Sequence, residues 1–242
     1  MSNKIIGILG GMGPEATVYL FDLIVKMTEA NRDQEHIPII IYNNPKIPHR
    51  TNAILKGTSS PLTFLIEGAK FLENAGAGFI VMPCVTAHYF YSEIVKNIKI
   101  PFLHLIEETY DYVKKEFPRL KKIGLLATLG TVKTDLFQEF FEKGGMKIVI
   151  PNEKDQNKVM EAIYSSKGIK AGYKNGLPKD LLMEVARNLI NKKDCEAIIA
   201  GCTEVPLALK KDDLTVPFIN PLEIIAYKSI EMAGYKIRKN NF

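Results

Sequence analysis

Two cysteines of this chain stand where they could do chemistry. Cys84 closes the run "FIVMPC" and is followed by Val85 and Thr86; Cys202 closes "EAIIAGC" and is followed by Thr203 and Glu204. Each thiol lies just beyond a short apolar stretch, with a hydroxyl within two residues. Two thiols on opposite faces of one carbon can invert it. A thiolate removes a proton from one face while the opposite thiol returns one to the other. Such acid–base work favours pKa values near the ambient pH, and a cysteine starts close to it. A helix N-terminus brings it closer. Thr86 ahead of "AHYFYSEIV" and Thr203 ahead of "EVPLALK" read as helix caps, so both thiols are expected beside helix starts.

Other candidate groups receive plainer readings. A lone free cysteine is most often a small buried hydrophobe, and Cys195, which opens a strand and has no echo elsewhere, is expected to be one. His88 falls inside the helix after Cys84, where packing or capping weighs at least as much as the alternative, proton transfer. No pair among the three cysteines and four histidines has the spacing of zinc ligands, so no metal is expected. "GMGPEA" at 11–16 satisfies a dinucleotide fingerprint in form. The next apolar run, "IPIIIYNNP", ends in asparagines where a nicotinamide domain wants an acid for the ribose. Pro14 suits a first helical position without any phosphate.

The elements that must position the thiols alternate along the chain. "KIIGIL" (4–9), "IPIIIY" (37–42) and "GFIVM" (78–82) are short continuous apolar runs, the pattern of strands buried on both faces of a parallel sheet. Ser60-Pro61 reads as a cap with proline at the first helical position, and Gly76 as a stop. Between them Leu62, Leu65, Ile66, Ala69 and Leu72 form one helical core face. "KIGLLA" (122–127), "MKIVI" (146–150), "EAIIA" (196–200) and "VPFI" (216–219) continue the pattern. The class is α/β.

The second half also repeats the first. Gly7 of "IIGILGG" and Gly124 of "KIGLLAT" lie 117 residues apart (124 − 7), Pro101 and Pro217 of the two "PF" runs 116 apart (217 − 101), and the two cysteines 118 apart (202 − 84). One offset for three matches points to two copies of an α/β unit of about 115 residues, an ordinary domain size. The expected division is a first domain over 1–104, joined by the C-terminal segment 220–242, and a second over 105–219. Each copy sets one cysteine at the carboxyl end of a parallel strand, where open α/β sheets bind ligands, so the two would face each other across an interdomain cleft.

Composition narrows the partners. The chain is 46% hydrophobic and 24% charged, as globular domains are. Its net charge of +5 is spread over scattered lysines, apart from the tail "KIRKNNF". With no basic stripe interleaved with aromatics, nucleic acid is not an expected partner. No apolar run is long enough to span a bilayer. The N-terminus lacks a signal-peptide pattern, and unpaired cysteines suit a reducing compartment, so a cytoplasmic location is expected.

"GILGGMGPEAT", "NNPKIPHRT", "MPCVTAH", "LLATLGT" and "AGCTEVPL" together resemble the aspartate racemase branch of the cofactor-independent Asp/Glu racemase family, over residues 4 to about 225. The resemblance implies two similar α/β domains, a homodimer, and racemisation of a small acidic amino acid without pyridoxal phosphate or metal. By motif it makes Cys84 and Cys202 the acid–base pair and puts Met12 and Gly13 in a loop that helps close the site. Arg50 becomes a carboxylate fork, a role that its planar guanidinium suits on physical grounds. Thr86, Thr128 and Thr203 supply hydroxyl and backbone contacts, Lys170 reaches in from a loop, and Glu204 supports the second thiol. One departure stands out: the family's Cys-Asn-Thr is Cys84-Val85-Thr86 here, and valine offers the substrate no donor. Aspartate is the expected substrate, with glutamate or a broader amino-acid range as the alternative. A decarboxylase or isomerase of small dicarboxylates, and a binding protein without turnover, are the readings from other classes.

Overall fold

The computed structural model describes residues 4–238; residues 239–242 of the expected C-terminal segment lie outside them. The strands are β1 (Ile6–Gly10), β2 (Ile39–Asn43), β3 (Phe79–Val81), β4 (Lys122–Leu125), β5 (Lys147–Val149), β6 (Ala197–Ile199) and β7 (Phe218–Ile219). Helices α1 (Pro14–Met27), α2 (Arg50–Lys56), α3 (Leu62–Asn74), α4 (Tyr91–Val95), α5 (Leu105–Glu116) and α6 (Leu129–Lys133) come first. Then follow α7 (Gln138–Phe141), α8 (Glu153–Tyr164), α9 (Leu177–Lys193), α10 (Val205–Ala208) and α11 (Pro221–Ala233). Every expected strand is present; β1 and β2 start two residues later than their apolar runs and end one residue beyond them, and the others are shorter than the runs that announce them. β1, β3 and β6 are buried along their whole length, as all-apolar runs in a parallel sheet must be.

The strands form two parallel sheets, β2-β1-β3 and β5-β4-β6-β7. The duplication is visible in their hydrogen bonds. The Ile198 N–H donates to the Pro217 carbonyl at 2.9 Å, seating β7 beside β6. In the first half the Ile80 N–H donates to the Pro101 carbonyl at 2.9 Å, but the segment forms only a single parallel bridge, Ile80 to Phe102. The two repeated glycines have one reason. A Cβ on Gly7 would lie 2.9 Å from Ala77 Cβ, and one on Gly124 2.7 Å from Ile198 Cδ1 with α9's Leu189 at 3.1 Å. A central strand lies too close to its neighbours for a side chain at that point.

The halves are not independent cores. One apolar cluster holds Ile6, Ile8, Leu20 and Phe79 together with Ile123, Leu125, Phe137 and Leu222, while Leu65 and Leu72 belong to a second cluster and Leu182 and Val185 to a third. α11 packs on both α1 and α5. The chain end returns to the beginning: the Lys4 N–H donates to Ala233 O at 3.1 Å and the Arg238 N–H to Met27 O at 2.8 Å. No helix among the described residues is long and apolar enough to cross a membrane.

Three capping expectations need correction. Pro61 is the N-cap of α3 and not its first residue, although the Ser60 hydroxyl does accept the Leu62 N–H at 3.2 Å. Thr86 lies inside a 3-10 turn, Val85–Phe90, and caps nothing. Thr203 does not cap α10, whose N-cap is Glu204. Both threonine hydroxyls are taken by bonds across the molecule, which satisfy a buried hydroxyl as well as a cap would.

Candidate active site

Cys84 and Cys202 follow β3 and β6, at matching carboxyl ends, and each is 5% exposed. They line one cavity together with Met12, Arg50, Val85, Thr86, Thr128, Tyr164, Lys170, Thr203 and Glu204. Gly13 lies in the adjoining vestibule, shared with Met12, Arg50, Lys170 and Glu204. The free space in this cavity is about 10 Å³, room for about one water. The site is closed.

Cross-chain bonds hold the two strand ends together. The Thr203 hydroxyl donates to the Pro83 carbonyl at 3.1 Å, tying the residue after one cysteine to the residue before the other. Thr86 Oγ1 meets Thr128 Oγ1 and Thr131 Oγ1, each at 2.9 Å. Gly130 permits this approach, since a Cβ there would lie 2.8 Å from Thr51 Oγ1.

Glu204 is the hub. Its Oε1 accepts the Gly13 N–H at 3.0 Å and the Lys170 ammonium, and its Oε2 accepts the Cys202 thiol at 3.0 Å. Lys170, in the turn Ile169–Ala171, also donates to Met12 O at 3.1 Å and so closes the cavity. Burial, and then the Glu204 carboxylate, push the Cys202 thiol well above its ordinary pKa, against the opposing pull of Lys170. The expected help from a helix start is absent, because α10 has only four residues and the thiol faces a carboxylate. Cys202 therefore rests protonated. It is poised as a proton donor.

Arg50, 9% exposed, donates from Nη1 to Ile47 O at 3.0 Å and Pro48 O at 2.8 Å, and from Nη2 to Met12 O at 3.1 Å. A guanidinium has five N–H groups. Its buried Nε has no partner among the described residues, so Nε–H and one Nη2–H remain for a ligand.

Tyr164 was not singled out by the sequence. It ends α8, six residues before Lys170, and only that nearness to the "GIKAG" loop could have signalled it. Its ring lies 4.8 Å from that of His49 and 5.8 Å from Lys170 Nζ. Burial, then Cys202, Glu204 and Cys84, raise its hydroxyl pKa, so it stays a neutral donor.

His88 is structural. Its Nε2 accepts the Leu105 N–H at 3.2 Å, so Nδ1 carries the proton and donates to the Cys84 carbonyl at 2.9 Å. Burial, with His104 beside it, lowers its pKa to about 3; burial lowers that of His104 to about 4. Folding thus favours the neutral rings. Their contribution to stability is complete above the unfolded value near 6.5 and is lost as the pH falls toward the folded values. The melting temperature should drop steeply between about pH 6.5 and pH 4, with a shallower slope in His88→Gln; equal slopes would remove His88 from this account. Cys195 is buried in the core, its pKa raised to about 11 by burial. No three His, Cys, Asp or Glu side chains among the described residues converge as a metal site.

The Asp/Glu/Hydantoin racemase family model matches residues 9–228. The chain belongs to that family. It is 28% identical over 232 residues to the broad specificity amino-acid racemase RacX of Bacillus subtilis (strain 168), covering 93% of this chain and 96% of that protein. Its fold is similar to that of Picrophilus torridus aspartate racemase, with a TM-score of 0.83 and 33% identity over 98% of this chain and 96% of the other. An aspartate racemase homologue from Pyrococcus horikoshii OT3 gives 0.76 and 26% over 96% and 99%. Family membership accounts for the two parallel sheets and for the paired strand ends.

Proposed function

We propose that this family member is a cofactor-independent amino-acid racemase that acts on aspartate through Cys84 and Cys202. The observation that carries the reading is the pair of thiols at duplicated strand ends, lining one buried cavity. The substrate α-carboxylate takes the two open N–H groups of Arg50, and the side-chain carboxylate draws Lys170 away from Glu204. One thiolate removes the Cα proton, leaving a carbanion whose charge spreads into the α-carboxylate. The opposite thiol delivers its proton to the other face. Thr86, Thr128 and Thr203 orient the substrate. In the resting form Cys202 holds the proton to be delivered.

Incubation with L-aspartate in heavy water tests this. D-aspartate carrying α-deuterium is expected, unaffected by chelator or a carbonyl-trapping reagent and abolished by thiol alkylation. Carbon dioxide release would instead identify a decarboxylase, and thermal stabilisation without turnover a binding protein.

Val85 and the likeness to RacX favour a second reading, a broader substrate range. A hydrogen bond to a charged group is worth about 1.5–3 kcal/mol. Val85→Asn should therefore raise kcat/KM for aspartate roughly 10- to 150-fold and do little for neutral amino acids. Unchanged or lower aspartate turnover would mean that valine belongs to a pocket tuned for other side chains.

A homodimer forms part of the proposal. Val18, Phe21 and Val25 on α1, Ile41 on the edge strand β2, and Phe64 and Phe71 on α3 are exposed, a set of large apolar groups that a second copy would cover. Sedimentation should give about twice the mass of one chain; a monomer at micromolar concentration would end this part.

A further inference from the structure

A second cavity shares no residue with the thiol site. α1, the segment after α10 and the start of α11 enclose a cleft of about 650 Å³, within the range of small-molecule sites. Leu23, Met27, Leu209 and Phe218 give it an apolar wall. Its polar side holds Lys210 and Glu223, with Lys26, Lys211 and Asp212 also on the lining. The Lys210 ammonium lies 5.7 Å from the centre of the Tyr19 ring and donates to the Pro206 carbonyl. It is exposed, burial lowers its pKa against the opposing pull of Glu223, and it forms no ion pair among the described residues. Glu223 Oε1 accepts from Asn220 Nδ2 at 3.0 Å and from the Tyr19 hydroxyl at 3.4 Å, leaving Oε2 open.

We propose that this cleft binds a free α-amino acid with a large apolar side chain, as an effector. A zwitterion carries a carboxylate and an ammonium on one carbon. Lys210 offers the first a charge-assisted hydrogen bond and Glu223 offers one to the second, while the apolar wall takes the side chain. A purely anionic ligand would meet Glu223 and Asp212, and a purely cationic one Lys26, Lys210 and Lys211. The cleft is also wired to the catalytic segment. The Pro206 carbonyl held by Lys210 belongs to α10, which starts directly after Glu204. A ligand carboxylate that takes Lys210 releases that carbonyl and loosens the turn beside the second thiol.

The test is calorimetric titration of the intact protein with L-leucine and L-phenylalanine, which does not depend on any racemase activity. Saturable binding is expected, weakened at least about tenfold by Lys210→Met and by Glu223→Gln. Lys210→Arg, which keeps the cation, and Arg50→Ala, which alters only the thiol site, should both retain it. Saturating effector should also change aspartate turnover about fivefold or more in the parent protein and not in Lys210→Met. The proposal is overturned by the absence of saturable binding. Binding that survives Lys210→Met but disappears with Arg50→Ala overturns it too, because the thiol site would then be the only one. Binding with no rate response, or with an equal one in parent and Lys210→Met, removes the effector role.

Discussion

Single replacement of Cys84 or Cys202 by alanine is expected to lower racemisation at least about a thousandfold, since a positioned acid or base contributes 10²–10⁴-fold and neither thiol has a substitute. Both lie in one buried cavity, in which Tyr164 is held neutral and Lys170 is paired with Glu204, while the nearby His88 points its two nitrogens at backbone groups. Serine at either position should recover little, because an alcohol is a far weaker acid than a thiol. The two variants should also differ in kind. With one thiol gone, the remaining one can still remove and return a proton on its own face, so each variant should exchange the α-hydrogen of a single enantiomer with heavy water without inverting it. Opposite enantiomers should be favoured by Cys84→Ala and Cys202→Ala. Racemisation near the parent rate in either variant would end the two-base mechanism.

The second large effect is expected at Arg50. Three of its N–H groups are committed to the Met12, Ile47 and Pro48 carbonyls and its buried Nε is left over. Leaving a polar group buried and unpaired is costly, unless a substrate completes it. Arg50→Lys keeps the charge but cannot span three carbonyls and still present a fork. Loss of one member of a buried charged pair costs about 2–5 kcal/mol, so kcat/KM for aspartate should fall roughly 30- to several-thousand-fold. Most of the loss should appear in KM if the fork binds ground and transition states alike. A variant that melts lower yet keeps its KM would assign Arg50 to the scaffold alone.

The strands and the repeat were legible because burial on both faces leaves an uninterrupted apolar run, and Gly7 and Gly124 keep the place where no side chain fits. The family's motif residues were legible for a related reason: apart from Lys170, which follows α8, they lie in segments that follow those strands, so order along the chain maps onto position around the cavity. Local capping was not. Thr86 and Thr203 have the right residue type before an apolar run, but their hydroxyls find partners 42 and 120 residues away in sequence, and no window of local sequence contains such a bond. Tyr164 was hidden likewise, since an aromatic at a helix end looks the same whether it faces core or substrate. The acidity of Cys202 went the opposite way from the helix-start argument. Its neighbour two residues on is a carboxylate that folds back onto the sulfur, and sequence order does not say where a side chain turns.

Under the two-thiol mechanism proposed above, that hydrogen bond from Cys202 to Glu204 makes the empty protein keep a record of its last substrate. In a two-thiol exchange the proton delivered is not the proton removed, so the protein leaves each passage with the charge on the other sulfur. The two empty forms differ in free energy here, because only one has the thiol that Glu204 prefers. A molecule that has just discharged Cys202 must recharge it before it can treat a second substrate of the same hand, whereas a substrate of the opposite hand recharges it in passing. The two enantiomers have equal energies, so kcat/KM must agree for both directions, and the inequality can surface only as a matched difference in kcat and KM. Turnover of a pure enantiomer far above KM would then be paced by proton return from water, and addition of its mirror image would relieve it.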